Sequence, residues 1–327
     1  MNAVPGPLDG GPDDLPFPVT VPYRVRADLA WLNGTGPNQP GPNLPFPQDP
    51  HDPEILKEKR DALRDHPARI RVSDPSESPE IRHHTLTVTV PTFAGERPDI
   101  VHETNAPSEH TLTDAAGRHW VFPKLTLQDH EALRQTPAHL QLADALARSL
   151  PEDLVWMKDD SEGGRAHVLH VCFPSHWAPE IRGGASLLEL HGPVADGDKL
   201  RKASTGLMHA IASKGPFRRF VWSLNTTPSL DRHPGATAPP GHAKQENPIE
   251  NTWFRVERQT TLPHPEHGIA VFAIRVLVAP LTTVLQREAG RATLLAEAIR
   301  SMSDELKNYK GIREPEALLE QLDTFDA

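Results

Sequence analysis

Residues 252–278, TWFRVERQTTLPHPEHGIAVFAIRVLV, decide the fold because they predict two β-strands joined by a short turn. The segments Thr252–Thr261 and Ile269–Val278 are rich in β-branched and aromatic side chains, the composition typical of strands. Two prolines and a glycine between them mark the turn. Strands joined by so short a connection pair antiparallel. We therefore expect this segment to form part of an antiparallel sheet.

The rest of the second half adds more strands and two helices. Four further segments read as strands: Asp153–Met157, His167–Phe173, Leu187–Leu190 and Phe217–Leu224. A helix is predicted over Asp198–Ser213, and another closes the chain over Leu281–Leu306. Strands with short connections and grouped helices favour an α+β fold, with an antiparallel sheet and helices on one of its faces.

The first half is less regular. A helix is predicted over Pro53–Asp65, and the alternation of leucine or valine with threonine over His83–Pro91 predicts a half-buried strand. A short strand is expected at His119–Phe122. Leu127–Leu150 reads as a helix that Pro137 kinks or splits.

The beginning of the chain is predicted to form proline-rich arms. Residues 1–20 and 33–53 are rich in Pro, Gly, Asn and Asp, and cannot bury enough apolar surface to fold alone. We therefore divide the chain into an arm over residues 1–53, with a docked segment near residues 22–32, one α+β domain over residues 54–315, and a tail over residues 316–327.

Composition excludes several classes of protein. The net charge of -10 argues against a nucleic-acid partner, because phosphate binding requires clustered Lys and Arg. Cys172 is the only cysteine, which excludes an intrachain disulfide and a cysteine-based zinc site. The first residues lack the pattern of a signal peptide, and no run of 18 apolar residues occurs. These observations predict a cytoplasmic protein that does not enter a membrane.

Common catalytic motifs are missing from the sequence. There is no glycine-rich dinucleotide fingerprint, phosphate-binding loop, GxSxG elbow or HExxH pair. Histidines number 18, yet His167 and His170 lie three apart on a predicted strand and cannot converge on one ion. His264 and His267 lie in a turn, where two ligands alone are weak support for a metal site. We interpret these histidines as solvated or capping residues.

Four segments are unusual for mere packing: VCFPSHW at 171–177, LELHGPV at 188–194, RFVW at 219–222, and FRVERQT at 254–260 followed by HGIAVFAIR at 267–275. In this order they resemble the family of the haem-dependent oxidative N-demethylase alpha subunit, over roughly residues 22–311. Three positions depart from the family's pattern. Val221 replaces an Asn, Ala195 replaces a Pro and Arg182 replaces a Lys.

This resemblance implies a fold, a cofactor and a reaction. The fold would be a PAS-like domain, in which a curved antiparallel sheet and flanking helices hold haem b through an axial histidine. The reaction would be oxidative removal of a methyl group from a small amine, with O2 and with electrons from a partner reductase subunit that carries flavin and an iron–sulfur centre. A non-catalytic haem-binding or sensing module and a haem-free scaffold subunit are the alternatives.

His191 is our candidate for the axial ligand. It ends an apolar segment before Gly192-Pro193, which can hold an imidazole in one orientation, as an iron ligand must be held. From the residues alone, a buried histidine bonded to a backbone carbonyl is the simpler interpretation, and the resemblance favours the ligand. His170 and His176 are the alternatives. Cys172 lies mid-strand, where a small buried apolar role is usual.

Alternation on the RVERQ strand places Arg255, Glu257 and Gln259 on one face, with Arg258 on the other. Arg255 and Glu257 could be a simple surface pair, worth less than about 1 kcal/mol. If the face lines a pocket, Glu257 becomes the catalytic candidate, because a carboxylate can attract an ammonium substrate or relay protons.

The remaining cofactor-binding candidates follow from the resemblance. Arg255, Arg258 and Arg275 are expected to pair with haem propionates, for which a forked guanidinium is suited. For Arg275, Glu257 is an alternative partner. Trp222 is expected to pack on the porphyrin or, equally, in the core.

Overall fold

The structure is a computed structural model that describes residues 15–32, 46, 49, 51–97, 101–103, 110–113, 119–122, 136–137, 140–160, 163–190, 198–235 and 246–325. Within these ranges the strands are β1 (Ala30–Trp31), β2 (Arg71–Ser73), β3 (Val101–Glu103), β4 (His110–Thr113), β5 (His119–Phe122), β6 (Asp153–Lys158), β7 (Arg165–His170), β8 (Phe217–Asn225), β9 (Trp253–His264) and β10 (Ile269–Pro280).

The helices of the same ranges are mostly short. They are α1 (Asp52–Asp65), α2 (Pro67–Ile70), α3 (Pro79–Thr87), α4 (Val90–Glu96), α5 (Gln141–Ser149), α6 (Leu187–Leu190), α7 (Asp198–Ser213), α8 (Leu281–Leu285), α9 (Arg291–Arg300), α10 (Asp304–Tyr309) and α11 (Glu316–Phe325). Among the described helices, none combines the length and the apolar character needed to cross a lipid bilayer.

One large antiparallel sheet dominates the fold. Its seven strands run in the order β1-β8-β9-β10-β6-β7-β2, and a separate small sheet has the order β3-β4-β5. The predicted hairpin is the centre of the large sheet, since β9 and β10 pair from Trp253–Pro280 to His264–Ile269. The α+β class predicted from the sequence is confirmed.

Helices cover both faces of this sheet, whereas one covered face was expected. On one face, Val155 and Met157 pack with Met208 and Ile211 of α7. On the other face, Trp222 and Val256 pack with Ile299 of α9 and with the helices that follow it. The cause lies in the strands themselves, because β6 is buried at five successive positions and therefore presents apolar side chains to both sides.

The predicted strand at His83–Pro91 is wrong. These residues belong to α3 and α4, and Ser78 caps α3 by accepting a hydrogen bond from the backbone N–H of Ile81. Pro79 occupies the first turn, where its missing N–H costs nothing. Leu86 at the end of α3 and Val90 at the start of α4 are both buried in the core.

Two other predicted elements also change. Leu187–Leu190 forms the single helical turn α6 because Ser186 and Glu189 cap it reciprocally, with the Ser186 Oγ accepting from the Glu189 N–H. The long helix predicted over Leu281–Leu306 is divided into α8, α9 and the start of α10, with a left-handed Gly290 between the first two. Of the helix predicted over Leu127–Leu150, α5 is confirmed, and residues 127–135 lie outside the described ranges.

Both ends of the described chain pack into the core. Leu15 and Val19, from the predicted N-terminal arm, join the cluster that α9 covers. In α11, Leu318 and Leu322 are fully buried in the same cluster. The segment 316–325, expected to be a tail, is therefore an integral helix of the domain.

A buried charged cluster joins β2, α5 and β7. Asp144 is fully buried, accepts hydrogen bonds from Arg71 and Arg148 at 2.8 Å each, and lies 3.0 Å from the Nε2 of His170. Burial lowers the pKa of His170 to about 4, against the opposing pull of Asp144. Burial pushes the pKa of Asp144 up, but His170 and the two arginines bring it below its usual range.

This cluster predicts a loss of stability in mild acid. The unfolded chain binds a proton at His170 near pH 6.5, whereas the folded chain excludes it until about pH 4. Stability contributed by neutral His170 is therefore lost as the pH falls from 6.5 to 4, by about 3 kcal/mol in all, and the contribution of Asp144 is lost below about pH 4. Urea unfolding at pH 7 and pH 5 measures the effect. The variant His170→Gln should flatten the difference, and the exposed-site control His209→Gln should retain it.

Candidate functional site

A cavity of about 550 Å³ lies against one face of the large sheet, within the size range of cofactor sites. Residues from β6, β7 and β10 alternate into it, as expected for one face of a sheet. Helices α6 and α7 close the opposite wall. Its apolar lining comprises Val155, Met157, Leu169, Leu187, Leu190, Leu207, Ile211, Phe272 and Ile274.

The cavity reaches around the outer edge of β8. At one end of that edge, Ala30–Trp31 pairs with Phe217 and Arg218. At the other end, the backbone N–H of Leu224 donates to the carbonyl of Lys310 at 3.2 Å. Between these two contacts, the six consecutive residues 218–223 line the cavity, and residues 23–30 cover it. The segment predicted to dock near residues 22–32 therefore forms a wall of the cavity.

Glu257 lines the cavity, on the face that alternation predicted. The hydroxyl of Ser175 donates a short hydrogen bond to its Oε1, and the Nε2 of Gln259 donates to its Oε2 at 2.7 Å. Both carboxylate oxygens are therefore fixed by neighbouring side chains. Ser175 comes from the CFPSHW turn, so this turn and the RVERQ strand meet in one site.

Arg255 lies on the same face as Glu257 but behind the wall of the cavity. Its side chain is 1 % exposed, and it donates to the Ser175 hydroxyl at 3.0 Å and to the carbonyls of Leu230 and Phe173 at 2.8 and 2.9 Å. Because the guanidinium donates to Ser175, that hydroxyl is left to donate to Glu257. In these contacts Arg255 supports the CFPSHW turn.

Arg258 and Arg275 lie on the opposite face of the sheet from Glu257, directly across from each other in the β9–β10 register. Arg258 pairs with Glu152 at 3.3 Å, and Arg275 pairs with Asp52 at 3.0 Å. The structure does not bring either of them to the cavity, because the alternation of a strand places them on its far side. Neither residue therefore lines this cavity, and their pairing with a haem propionate stays a prediction.

Trp222 borders the cavity at the β8 edge and is 2 % exposed. It packs against Phe254 in the core and meets the ring of Tyr23 edge to face. The ammonium group of Lys310 lies over both rings, 4.7 Å from the Trp222 centroid and 4.5 Å from that of Tyr23. Burial lowers the pKa of Lys310 to about 7, although Glu257 opposes the shift.

The three candidate histidines have different positions. His191 lies outside the described residues, but Leu190, directly before it, lines the cavity. His176 also lines the cavity, with a left-handed backbone (φ 66), and burial together with Arg232 and Arg255 lowers its pKa to about 4. His176 is therefore a neutral imidazole, the form that binds metals. His170 is fully buried and occupied by Asp144.

Sequence reasoning missed the cations that do line the cavity. Arg24, Arg26, Arg218 and Arg219 border it together with Lys310. The first two lie in a segment that composition marked only as docked. The other two lie on β8, and their sequence neighbours gave no sign of the cavity beside that strand.

A comparison with protein families shows which family the chain belongs to. A family model described as "Haem-dependent oxidative N-demethylase, alpha subunit-like" matches residues 48–319. The chain belongs to this family. No protein of the curated set matches the chain. The resemblance inferred from the CFPSHW, HGPV and RVERQ segments is thus confirmed.

The three departures from the family's pattern are not equivalent. Val221 pairs with Glu257 across β8 and β9 and lines the cavity. Arg182 donates to the carbonyl of Glu189 and does not line it. Ala195 lies outside the described residues. Val221 is therefore the departure that can change what the cavity accepts.

The residues that are present suit a haem. A broad apolar wall suits a porphyrin, a neutral histidine is available to iron, and the buried Nε1 of Trp222 and Nε of Arg219 have no hydrogen-bond partner within the described ranges. In those same ranges, no group of three or more His, Cys, Asp or Glu side chains is arranged to hold a metal ion. The apolar wall and the neutral His176 are therefore compatible with a haem in this cavity.

Proposed function

We propose that this chain is a haem b-dependent oxidoreductase that removes a methyl group from a small methylated amine, using O2 and electrons from a separate flavin and iron–sulfur reductase subunit. The haem-binding, PAS-like character that the family resemblance implies is part of this proposal. The observation that carries it is Glu257, a carboxylate fixed by two side chains at the wall of a mainly apolar cavity, in a chain of this family.

The residues of the chain would have the following roles in this reaction. The apolar wall excludes water and strengthens electrostatic interactions inside the cavity. Glu257 attracts the ammonium form of the amine and can accept its proton, while Ser175 and Gln259 hold the carboxylate in place. A haem bound here would supply the redox-active iron to which O2 and the electrons are delivered.

For the iron ligand we retain His191, whose neighbour Leu190 lines the cavity, with His176 as the competing candidate. Trp222 is proposed to contact the porphyrin from the β8 edge. Arg218 and Arg219 are additional candidate partners for the propionates, since they border the cavity. Arg255 acts indirectly, through Ser175.

An absorption spectrum of the purified protein tests the cofactor, and formaldehyde release tests the reaction. Expression with adequate haem should give a red protein with a Soret band. With a competent reductase, NADPH and dimethylamine, it should release formaldehyde in proportion to the amine consumed. A colourless protein that gains no Soret band when haem is added would refute the proposal.

A non-catalytic haem-binding or sensing module is the second candidate. Val221 favours it, because this departure from the family's pattern lies directly opposite Glu257 in the cavity. Under this alternative, the protein binds haem but oxidises no methylated amine, even with a competent reductase. Substitution of Val221→Asn should then restore turnover if the departure is the cause.

The variant Glu257→Gln separates a catalytic from a structural role. It keeps the size of the side chain and removes its charge, so we expect at least tenfold lower turnover, about 1.4 kcal/mol in the barrier, with nearly unchanged haem content. The steady-state rate of formaldehyde release and the Soret absorbance measure the two quantities. Glu266→Gln, at an exposed position in the β9–β10 turn, is the matched control.

Two other outcomes would change the assignment of Glu257. Full turnover with full haem content would remove Glu257 from the reaction. Loss of haem or of several kcal/mol of stability would mean that the Ser175 and Gln259 contacts serve the fold instead.

A further inference from the structure

Arg219 occupies a defined place beside Glu257. In the β8–β9 register, Arg219 faces Gln259 and Val221 faces Glu257. Directly opposed residues of an antiparallel pair project to the same face, so Arg219 is the diagonal neighbour of Glu257. Diagonal neighbours lie about 7–8 Å apart. Both residues line the cavity.

Arg219 forms no salt bridge with a carboxylate within the part of the chain that the structure describes. Its Nε is buried without a hydrogen bond, and no described carboxylate forms an ion pair with its guanidinium. Glu257 is engaged by Ser175 and Gln259, and Asp28, which also borders the cavity, makes no ion pair with it. Burial lowers the pKa of Arg219, an effect that Glu257 opposes. A partly buried guanidinium without a salt bridge, at the wall of a cavity, makes a bound anion the natural complement.

Two tyrosines add hydroxyl groups beside Arg219. Tyr23 and Tyr309 border the cavity, and each interacts electrostatically with Arg219. Burial raises the pKa of each phenol to about 12, so both hydroxyls keep their protons at neutral pH. A guanidinium fork beside protonated hydroxyls matches the two oxygens of a carboxylate.

We propose that Arg219, with Tyr23 and Tyr309, forms a carboxylate-binding subsite of the cavity. Two sources can supply the carboxylate: a propionate of the haem, or a carboxylate carried by the amine substrate. The second source rests on the proposed function and would define its substrate class as N-methylated amino acids, because an amine at Glu257 and a carboxylate at the diagonal Arg219 suit one small molecule.

The first experiment tests the cofactor as the source. It compares the affinities of haem and of haem dimethyl ester for the haem-free protein, measured by quenching of tryptophan fluorescence. If the subsite holds a propionate, the wild type should prefer haem by at least tenfold, and Arg219→Gln should lose that preference. Arg64→Gln, at an exposed position remote from the cavity, should behave as the wild type.

The second experiment tests the substrate as the source. It compares the binding affinities of N-methylglycine and dimethylamine by calorimetric titration, which needs no turnover. If the subsite holds the substrate, the wild type should bind N-methylglycine at least tenfold more tightly, Arg219→Gln should lose this preference, and its affinity for haem should be unchanged. Arg219→Lys, which keeps the charge without the fork, should fall between the two.

The outcomes separate this inference from the proposed function. If Arg219→Gln folds, as judged by its melting temperature, and changes neither preference, the carboxylate subsite is refuted even when the protein is red and active. If Arg219→Gln does not fold, the same comparison is made with Arg219→Lys. A colourless wild type that still prefers N-methylglycine through Arg219 would support the subsite and contradict the haem-dependent function.

Discussion

Replacing His191 with alanine should yield a protein that has lost most of its haem but keeps its fold. An axial ligand anchors the iron, whereas the substitution leaves the residues of α6 that directly precede it in sequence unchanged. We expect at least a tenfold weaker affinity for haem, since changes around a metal ligand already cost 10–100-fold. The ratio of Soret to protein absorbance measures the affinity, and circular dichroism checks the fold.

His176→Ala is the matched variant, because His176 is the competing imidazole that borders the cavity. If His191 is the ligand, His176→Ala should retain its haem. The reverse result, with full haem in His191→Ala and loss in His176→Ala, would transfer the axial role to the CFPSHW turn. Retention of haem with an unchanged spectrum in both single variants would contradict both assignments.

Lys59→Met should destabilise the protein by about 3–5 kcal/mol, because it removes one partner of a buried ion pair. Lys59 is fully buried in α1, donates to the carbonyls of Leu150 and Glu152, and lies 3.6 Å from Asp153. Methionine keeps the length of the side chain but leaves Asp153 without its cation. Urea denaturation measures the change, and Lys57→Met, at an exposed position of the same helix, should change stability by less than about 0.5 kcal/mol.

A second variant shows whether the charge is responsible. Asp153 also accepts the backbone N–H groups of Cys172 and Phe173, at 2.9 and 2.8 Å. Adding Asp153→Asn to Lys59→Met removes the stranded charge while keeping an acceptor for those groups, so part of the stability should return. If the double variant is less stable than Lys59→Met, the ion pair is not the source of the loss.

The central hairpin could be predicted because its signal is local. The β-branched residues of β9 and β10, and the turn between them, define the strands without knowledge of the rest of the chain. Strict alternation along β9 then places Glu257 and Gln259 on one face and Arg258 on the other, as observed. The four segments that carry the family resemblance are also local, so their order along the sequence was enough to recognise it.

Other features depend on contacts that sequence periodicity does not contain. The threonines of α3 and α4 imitate a strand pattern, and the cap at Ser78 outweighs it. The spacing of Ser186 and Glu189 is typical of a helix start and could have predicted α6. The apolar residues between and after them favoured a strand instead. Arg219 borders an enclosed cavity because residues 23–30 cover the β8 edge. No local sequence pattern reveals this long-range contact.

The two contacts that bracket the β8 edge have a consequence for biosynthesis. Ala30–Trp31 is made early on the ribosome, whereas Lys310 is made near the end of the described chain, and both border the same opening. The sheet can begin to form as the nascent chain lengthens, but the chamber cannot close until Lys310 has left the exit tunnel. A ligand would therefore be retained only after Lys310 has emerged, and chains that stall before Lys310 should remain unable to retain a ligand in this cavity.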